Sequence, residues 1–222
     1  MIKFTDAALY YKEEAQQVEA WDFLQENVDP TTLEIFAQKY REKAPAPICM
    51  NPLEVEWQSQ NDNASGTGYR ECFSSSMAMI AMYYGKVAND DEYNALRSKY
   101  GDSTSAEAQL ACLRSLGLNP SFVTNASTQT LKNEIDAGRP VGVGWLHHGP
   151  VSAPSGGGHW TVVIGYYDAG VYMNDPNGEA NLVMGGYTNN LNGECLKYSY
   201  KNWEPRWALP SKNDGWAMIV KP

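Results

Sequence analysis

Glu71-Cys72-Phe73-Ser74-Ser75-Ser76-Met77-Ala78-Met79 is the stretch on which the reading turns. Residues 61–71 before the cysteine, Asn-Asp-Asn-Ala-Ser-Gly-Thr-Gly-Tyr-Arg-Glu, are polar and glycine-bearing, the composition of a loop. After it, Met77, Ile80, Ala81 and Tyr84 recur on one helical face, and Gly85 stops the helix. Cys72 thus sits at the loop-to-helix junction. The positive end of the backbone dipole and the unpaired N–H groups there favour a thiolate over a thiol. The same N–H groups can hold an oxyanion. That suits a nucleophile; the competing reading is a buried structural cysteine, since free cysteine is commonly buried.

A thiol nucleophile needs a base and an orienting acceptor. The chain has three histidines, His147, His148 and His159, all after Cys72. His159 follows the bare loop Ser155-Gly156-Gly157-Gly158 and opens the strand-like run Trp160-Thr161-Val162-Val163-Ile164. His147 and His148 end the strand before it, where they either line the same cleft or cap a turn. Asp175, in Tyr172-Met173-Asn174-Asp175-Pro176, ends the strand after it and is placed to hold the imidazole tautomer. Asn-Asp-Pro-Asn-Gly is equally a turn. Trp145, Trp160 and Tyr187 are cleft-wall candidates that could as well be core.

Helices are expected at 90–100, 104–116, where Thr104-Ser105-Ala106-Glu107 reads as a capping box, and 128–137. Strands are expected at 140–146, 159–166, 171–174, 195–200 and 216–220. Helices first and antiparallel strands after make an α+β chain. Upstream, helical stripes at Leu9 to Leu24 and Leu33 to Tyr40 suggest a small hairpin over residues 1–43, and the prolines after it a linker over 44–54. The main domain is then 55–222.

The 222 residues carry a net charge of -9, which argues against nucleic-acid binding through a basic face and against adhesion to anionic membranes. Residues 1–6 show no apolar signal region, and no apolar run reaches membrane-spanning length. A soluble protein made in the cytoplasm is expected, with a separate factor or a virion to carry it out. Of the four cysteines, Cys112 reads as core, and Cys49 and Cys195 could pair; a reduced site of synthesis is the safer reading.

Together these motifs resemble the papain-like C-thirty-nine peptidases. Cys72, Ser76, Ala78 and Met79 match the family's Cys-Gly-Pro-x-Ser-x-Ala-Met helix. Gly158-His159-Trp160 and Asn174-Asp175-Pro176 match its later motifs, and the resemblance runs from Val55 to Pro222. Phe73-Ser74 replaces the usual Gly-Pro, which bears on the start of the helix and the pocket beside it. The resemblance implies a papain-like cysteine peptidase fold: a helical half packed on an antiparallel sheet. It implies catalysis by Cys72, His159 and Asp175, with Gln60 (or Gln58) as oxyanion donor and no metal or organic cofactor. Trp160, Trp145 and His148 are the implied substrate-binding residues. The Ser-Gly-Thr-Gly loop, the segment 201–207 and the upstream hairpin are similar to phage and cyanobacterial members. This implies an endolysin or virion-associated peptidase cutting peptidoglycan peptides, with a monomer favoured and no membrane insertion. The alternatives are a protease or isopeptidase acting on protein, a zinc amidase using His147, His148, His159 and Asp175, and a non-enzymatic virion or host-inhibitor protein on the same fold. Calcium binding by loop 61–71 stays open, the full EF-hand pattern being missing.

Overall fold

The computed structural model of the chain describes residues 52–222. The upstream hairpin, Cys49 and most of the linker lie outside the described residues. Helices α1 (Cys72–Tyr83), α2 (Asp90–Arg97) and α3 (Ala106–Ser115) come first. Strand β1 (Asn119–Ala126) and helix α4 (Thr128–Asp136) follow, then β2 (Val141–Trp145), β3 (His159–Tyr167) and β4 (Gly170–Asn174). A short ribbon of β5 (Glu179–Ala180) and β6 (Tyr187–Asn189) precedes β7 (Leu196–Ser199), α5 (Tyr200–Trp207) and β8 (Gly215–Lys221). Six strands form one antiparallel sheet in the order β1-β8-β2-β3-β4-β7.

Successive strand residues point to opposite sheet faces, and the two faces feed separate cores. Val162, Ile164, Met218 and Val220 pack with α1, α2 and α3 on one side. Val141, Val143, Trp145, Val163, Met173 and Ala217 pack with α4 and α5 on the other. Residues Phe73 to Ala81 of α1 are all buried, not only the single face expected. A helix apolar all round belongs inside a core, and α1 lies between its neighbouring helices and the sheet. Strand β2 shows what this requires. A Cβ on Gly142 would meet the Met77 side chain, and one on Gly144 would come within 2.9 Å of the Trp160 indole. The Val-Gly-Val-Gly-Trp alternation gives valines to one core and bare backbone to α1 and Trp160.

Three local expectations change. Ser105, not Thr104, caps α3 by accepting from Ala108 N–H, and the reciprocal box forms instead between Ser127 and Thr130 at α4. Strand β1 was not expected: its burial is irregular and Pro120 lies within it, both features of an edge strand. The strand expected over 195–200 stops at Ser199, and the chain turns into α5. Among the described residues no helix is long and apolar enough to cross a membrane.

Candidate active site

Cys72 is the first residue of α1, held there by a buried polar network. The Glu71 carboxylate accepts from Asn63 Nδ2 (2.8 Å), Ser65 Oγ (2.6 Å) and Thr67 Oγ1 (2.9 Å), with Arg97 at 3.9 Å. Burial alone would raise its pKa; those three hydrogen bonds and the Arg97 charge outweigh it and lower the pKa. This is how the loop 61–71 is folded back onto the helix start. Phe73 and Ser74, the departure from the family's Gly-Pro, both have partners. Phe73 stacks on Trp160 with ring centroids 3.7 Å apart, and Ser74 Oγ accepts from Arg97 Nε and Gln109 Nε2.

His159 opens β3 and is buried. Its Nε2 lies 2.7 Å from Asp175 Oδ1. That occupies one ring nitrogen and leaves Nδ1 for Cys72, with which the ring also hydrogen-bonds. Burial pushes the imidazole pKa down; the charges of Asp175 and Cys72, with hydrogen bonds to both, outweigh it and lift it to about 10. Burial likewise pushes the Cys72 thiol up. The His159 charge, its hydrogen bond and one from the Trp160 backbone N–H outweigh that and bring the thiol below its ordinary value of 9.0. The two groups therefore favour a thiolate–imidazolium pair.

Asp175 is itself over-determined. Oδ1 also accepts from Asn177 N–H (2.9 Å) and Oδ2 from Tyr198 Oη (3.2 Å). Its carbonyl accepts from Trp57 Nε1 (2.7 Å), and its N–H donates to Gly193 O (2.8 Å). A Cβ on Gly193 would fall 1.9 Å from the Asp175 carbonyl oxygen, so only glycine allows this approach. Asn174, one residue earlier, donates to Val55 O and accepts from Cys195 N–H, tying β4 to the segment before the active-site loop. Tyr198 carries no motif, and Trp57 is legible only as part of the run leading to Gln60; the register of β7 beside β4 brings the tyrosine to Asp175.

Gln60 lies in a single 3-10 turn, Gln60–Asp62, and is buried. Its backbone N–H donates to Pro176 O (2.8 Å), next to Asp175, and its Nε2 donates to Gly68 O (2.8 Å). One amide N–H remains over. Gln58 is half-buried and donates to its neighbour's carbonyl, Trp57 O. Trp145 is buried beneath His159, ring to ring at 5.5 Å, with its Nε1 on Thr161 Oγ1. Tyr187 packs on the imidazole at 5.6 Å. His147 is next to it at 5.3 Å, its pKa lowered to about 3 by burial and by the charges of His159, His148 and Arg206. His148 is exposed, its ring tilted against His147 with centroids 3.9 Å apart and its backbone bridged to Ser155. Trp160 walls a cavity of about 330 Å³ that opens beside His159.

Among the described residues no three His, Cys, Asp or Glu side chains are grouped to hold a metal ion. Both nitrogens of His159 already serve Asp175 and Cys72, so it has no lone pair to offer zinc. Cys112 is free and buried in the core. Cys195 is disulfide-bonded.

The Peptidase_C39 like family model matches residues 52–206, well over half of the chain. Among solved structures, a C39-like protein from Bacillus anthracis is 17% identical with a TM-score of 0.52, covering 76% of this chain and 96% of its own. A double glycine motif protease from an AMS/PCAT transporter, in complex with the leader peptide, is 18% identical (TM-score 0.50; 81% and 99% covered). The peptidase domain of Streptococcus ComA, a bifunctional ABC transporter of a quorum-sensing pathway, is 19% identical (TM-score 0.50; 76% and 99%). No curated protein matches the chain.

Proposed function

Since the chain belongs to the Peptidase_C39 like family and is thereby a cysteine peptidase, we propose that it hydrolyses peptide amides through Cys72, His159 and Asp175. The observation that carries this is His159 bridging the other two, Nε2 on Asp175 and the ring hydrogen-bonded to Cys72. The thiolate attacks the scissile carbonyl carbon, and the resulting oxyanion takes the Cys72 backbone N–H and the spare Gln60 amide N–H. His159 passes its Nδ1 proton to the departing amine nitrogen, leaving a thioester on Cys72. Water then attacks the thioester carbonyl, giving its proton back to Nδ1. The acid leaves and the thiolate–imidazolium pair is restored. Asp175 holds the ring orientation throughout, and Trp145 and Tyr187 keep water from its flanks.

As substrate we propose peptidoglycan stem or cross-bridge peptides, cut by a phage-type lysin. The likeness of the 61–71 loop and the 201–207 segment to phage and cyanobacterial members supports this. The test is alkylation of the folded protein with limiting iodoacetamide across pH, then digestion of purified sacculi. Cys72 labels selectively well below pH 8.5, the ordinary free-thiol region; Cys72→Ala and His159→Ala remain folded and release no new amines. Full hydrolysis by either variant overturns the mechanism. Cleavage of protein chains but not sacculi overturns the substrate and keeps the mechanism.

A further inference from the structure

The cavity beside His159 is not used by the chemistry above, and its composition is unusual. Resting on Cys72 as nucleophile, we infer that it is a side-chain subsite for a basic residue, lysine or arginine, of the peptide substrate. Its position makes it a substrate site: Gly158 and Trp160, which line it, are the chain neighbours of His159. The Trp160 N–H also bonds the Cys72 sulfur. A side chain entering here belongs to a residue beside the scissile bond.

The walls say what that side chain is. Trp160, Trp207 and Trp216 supply aromatic surface and Leu209 closes one end. Trp216 and Leu209 are 52% and 41% exposed, an apolar surface that the described residues leave open. On the opposite side Gly157 and Gly158 border open space, so a substrate backbone can approach the strip before His159. Such walls want a long apolar stem. The cavity also carries an accessible carboxylate. Asp214 is half-buried in the lining, with Oδ2 held by Ser211 N–H (3.0 Å) and Oγ–H (2.6 Å). Its Oδ1 accepts no hydrogen bond among the described residues.

Neither nearby cation is paired with Asp214. Arg206 also lines the cavity but is 1% exposed, and its guanidinium donates to the carbonyls of Leu182, Leu146, His148 and Gly149. Lys212 points into solvent and pairs with Glu204 at 3.8 Å. An aromatic box with one carboxylate at its rim is the chemistry that recognises an alkyl chain ending in a cation, by cation–π contact and a charge-assisted hydrogen bond. Glycine would leave the box empty, and an acidic side chain would meet Asp214.

Two measurements separate this inference from the reading beneath it. The first is binding to the Cys72→Ala protein of acetylated tripeptide amides Ala-Lys-Ala, Ala-Leu-Ala and Ala-Glu-Ala, followed by NMR at the indole of Trp160, which also lines the cavity. The lysine peptide binds about tenfold tighter than the leucine one and tighter still than the glutamate one, the order of a half-buried charge pair plus a cation–π contact. Asp214→Asn removes the lysine advantage, and Trp216→Ala weakens both lysine and leucine peptides. The second is mass-spectrometric mapping of cleavage sites in a mixed peptide library by the wild-type protein, where lysine or arginine is enriched within two residues of the cut. Equal binding of the three peptides, or a lysine preference that survives Asp214→Asn, overturns the subsite. Lysine-selective binding without any Cys72-dependent cleavage leaves the subsite standing and overturns the peptidase mechanism instead.

Discussion

Replacing Asp175 by Asn tests the electrostatics of the site with the least disturbance of its shape. Asn Oδ1 can keep both the His159 Nε2–H and the Asn177 N–H, and Nδ2 then faces Tyr198 Oη, so the variant folds. What is lost is the negative charge 2.7 Å from the imidazole. A hydrogen bond to a charged group is worth about 1.5–3 kcal/mol and a neutral one about 0.5–1.5, a difference of about 1–1.5 kcal/mol. At about 1.4 kcal/mol per unit that lowers the His159 pKa by about one unit. The bare Coulomb term at this distance, with an effective dielectric near 20, is about 6 kcal/mol and sets an upper bound of about four units. From about 10 in the native protein, His159 in the variant therefore titrates between about 6 and about 9. With three histidines in the chain, the imidazole Cε1–H resonances can be assigned and followed by NMR from pH 5 to 11. His147, lowered to about 3, stays neutral throughout and serves as the internal control. Hydrolysis loses its alkaline limb by the same shift, because the leaving amine then finds an imidazole with no proton to give. A native His159 that titrates near 6.5, or a variant pKa equal to the native one, refutes the reasoning.

Glu71→Gln should destabilise the protein by about 2–3 kcal/mol at pH 7, since the network loses its charge and Arg97, 8% exposed at the side chain, is left without its carboxylate. Because the folded pKa of Glu71 lies below its ordinary value of 4.5, its contribution is present above that pH and lost as pH falls through the folded pKa. Urea denaturation should show the gap between native and variant closing below pH 4.5, and a constant gap argues against the network. Gly144→Val would push a side chain into the Trp160 indole, now 2.9 Å from the Cβ position. It should cost about 1–3 kcal/mol by overpacking and shift Cys72 alkylation to higher pH, as the Trp160 N–H moves off the sulfur. A stable variant with an unchanged alkylation profile would mean that the stack on Phe73 does not position the site.

Much of the fold was legible because it is written in local signals. The helix after the loop at Cys72 is given by apolar spacing and Gly85, and β3 and β4 by runs of Val, Ile and Tyr joined through Asp168-Ala169-Gly170. Where the local signal was weak, the reading slipped. Strand β1 has irregular burial and a proline, and the turn of the chain into α5 is decided by packing of Trp203 and Trp207 against the second core.

Local signals in the sequence marked helices α1 to α4 and strands β2, β3, β4, β7 and β8, the junction that puts Cys72 at a helix start, and the ends of β3 and β4 that carry His159 and Asp175. Those are matters of periodicity, capping and turns within a few residues of each other. The tertiary structure alone decided which imidazole nitrogen meets Asp175, that Tyr198 and Trp57 hold that aspartate, and that Arg206 is buried with its guanidinium N–H groups on four carbonyls. It also decided that Trp160, Trp207, Trp216 and Asp214 share one cavity. Each of these depends on strand register and on side chains far apart in the chain meeting at one point. No spacing along a single segment encodes that, because the pairing energy exists only once the sheet has formed.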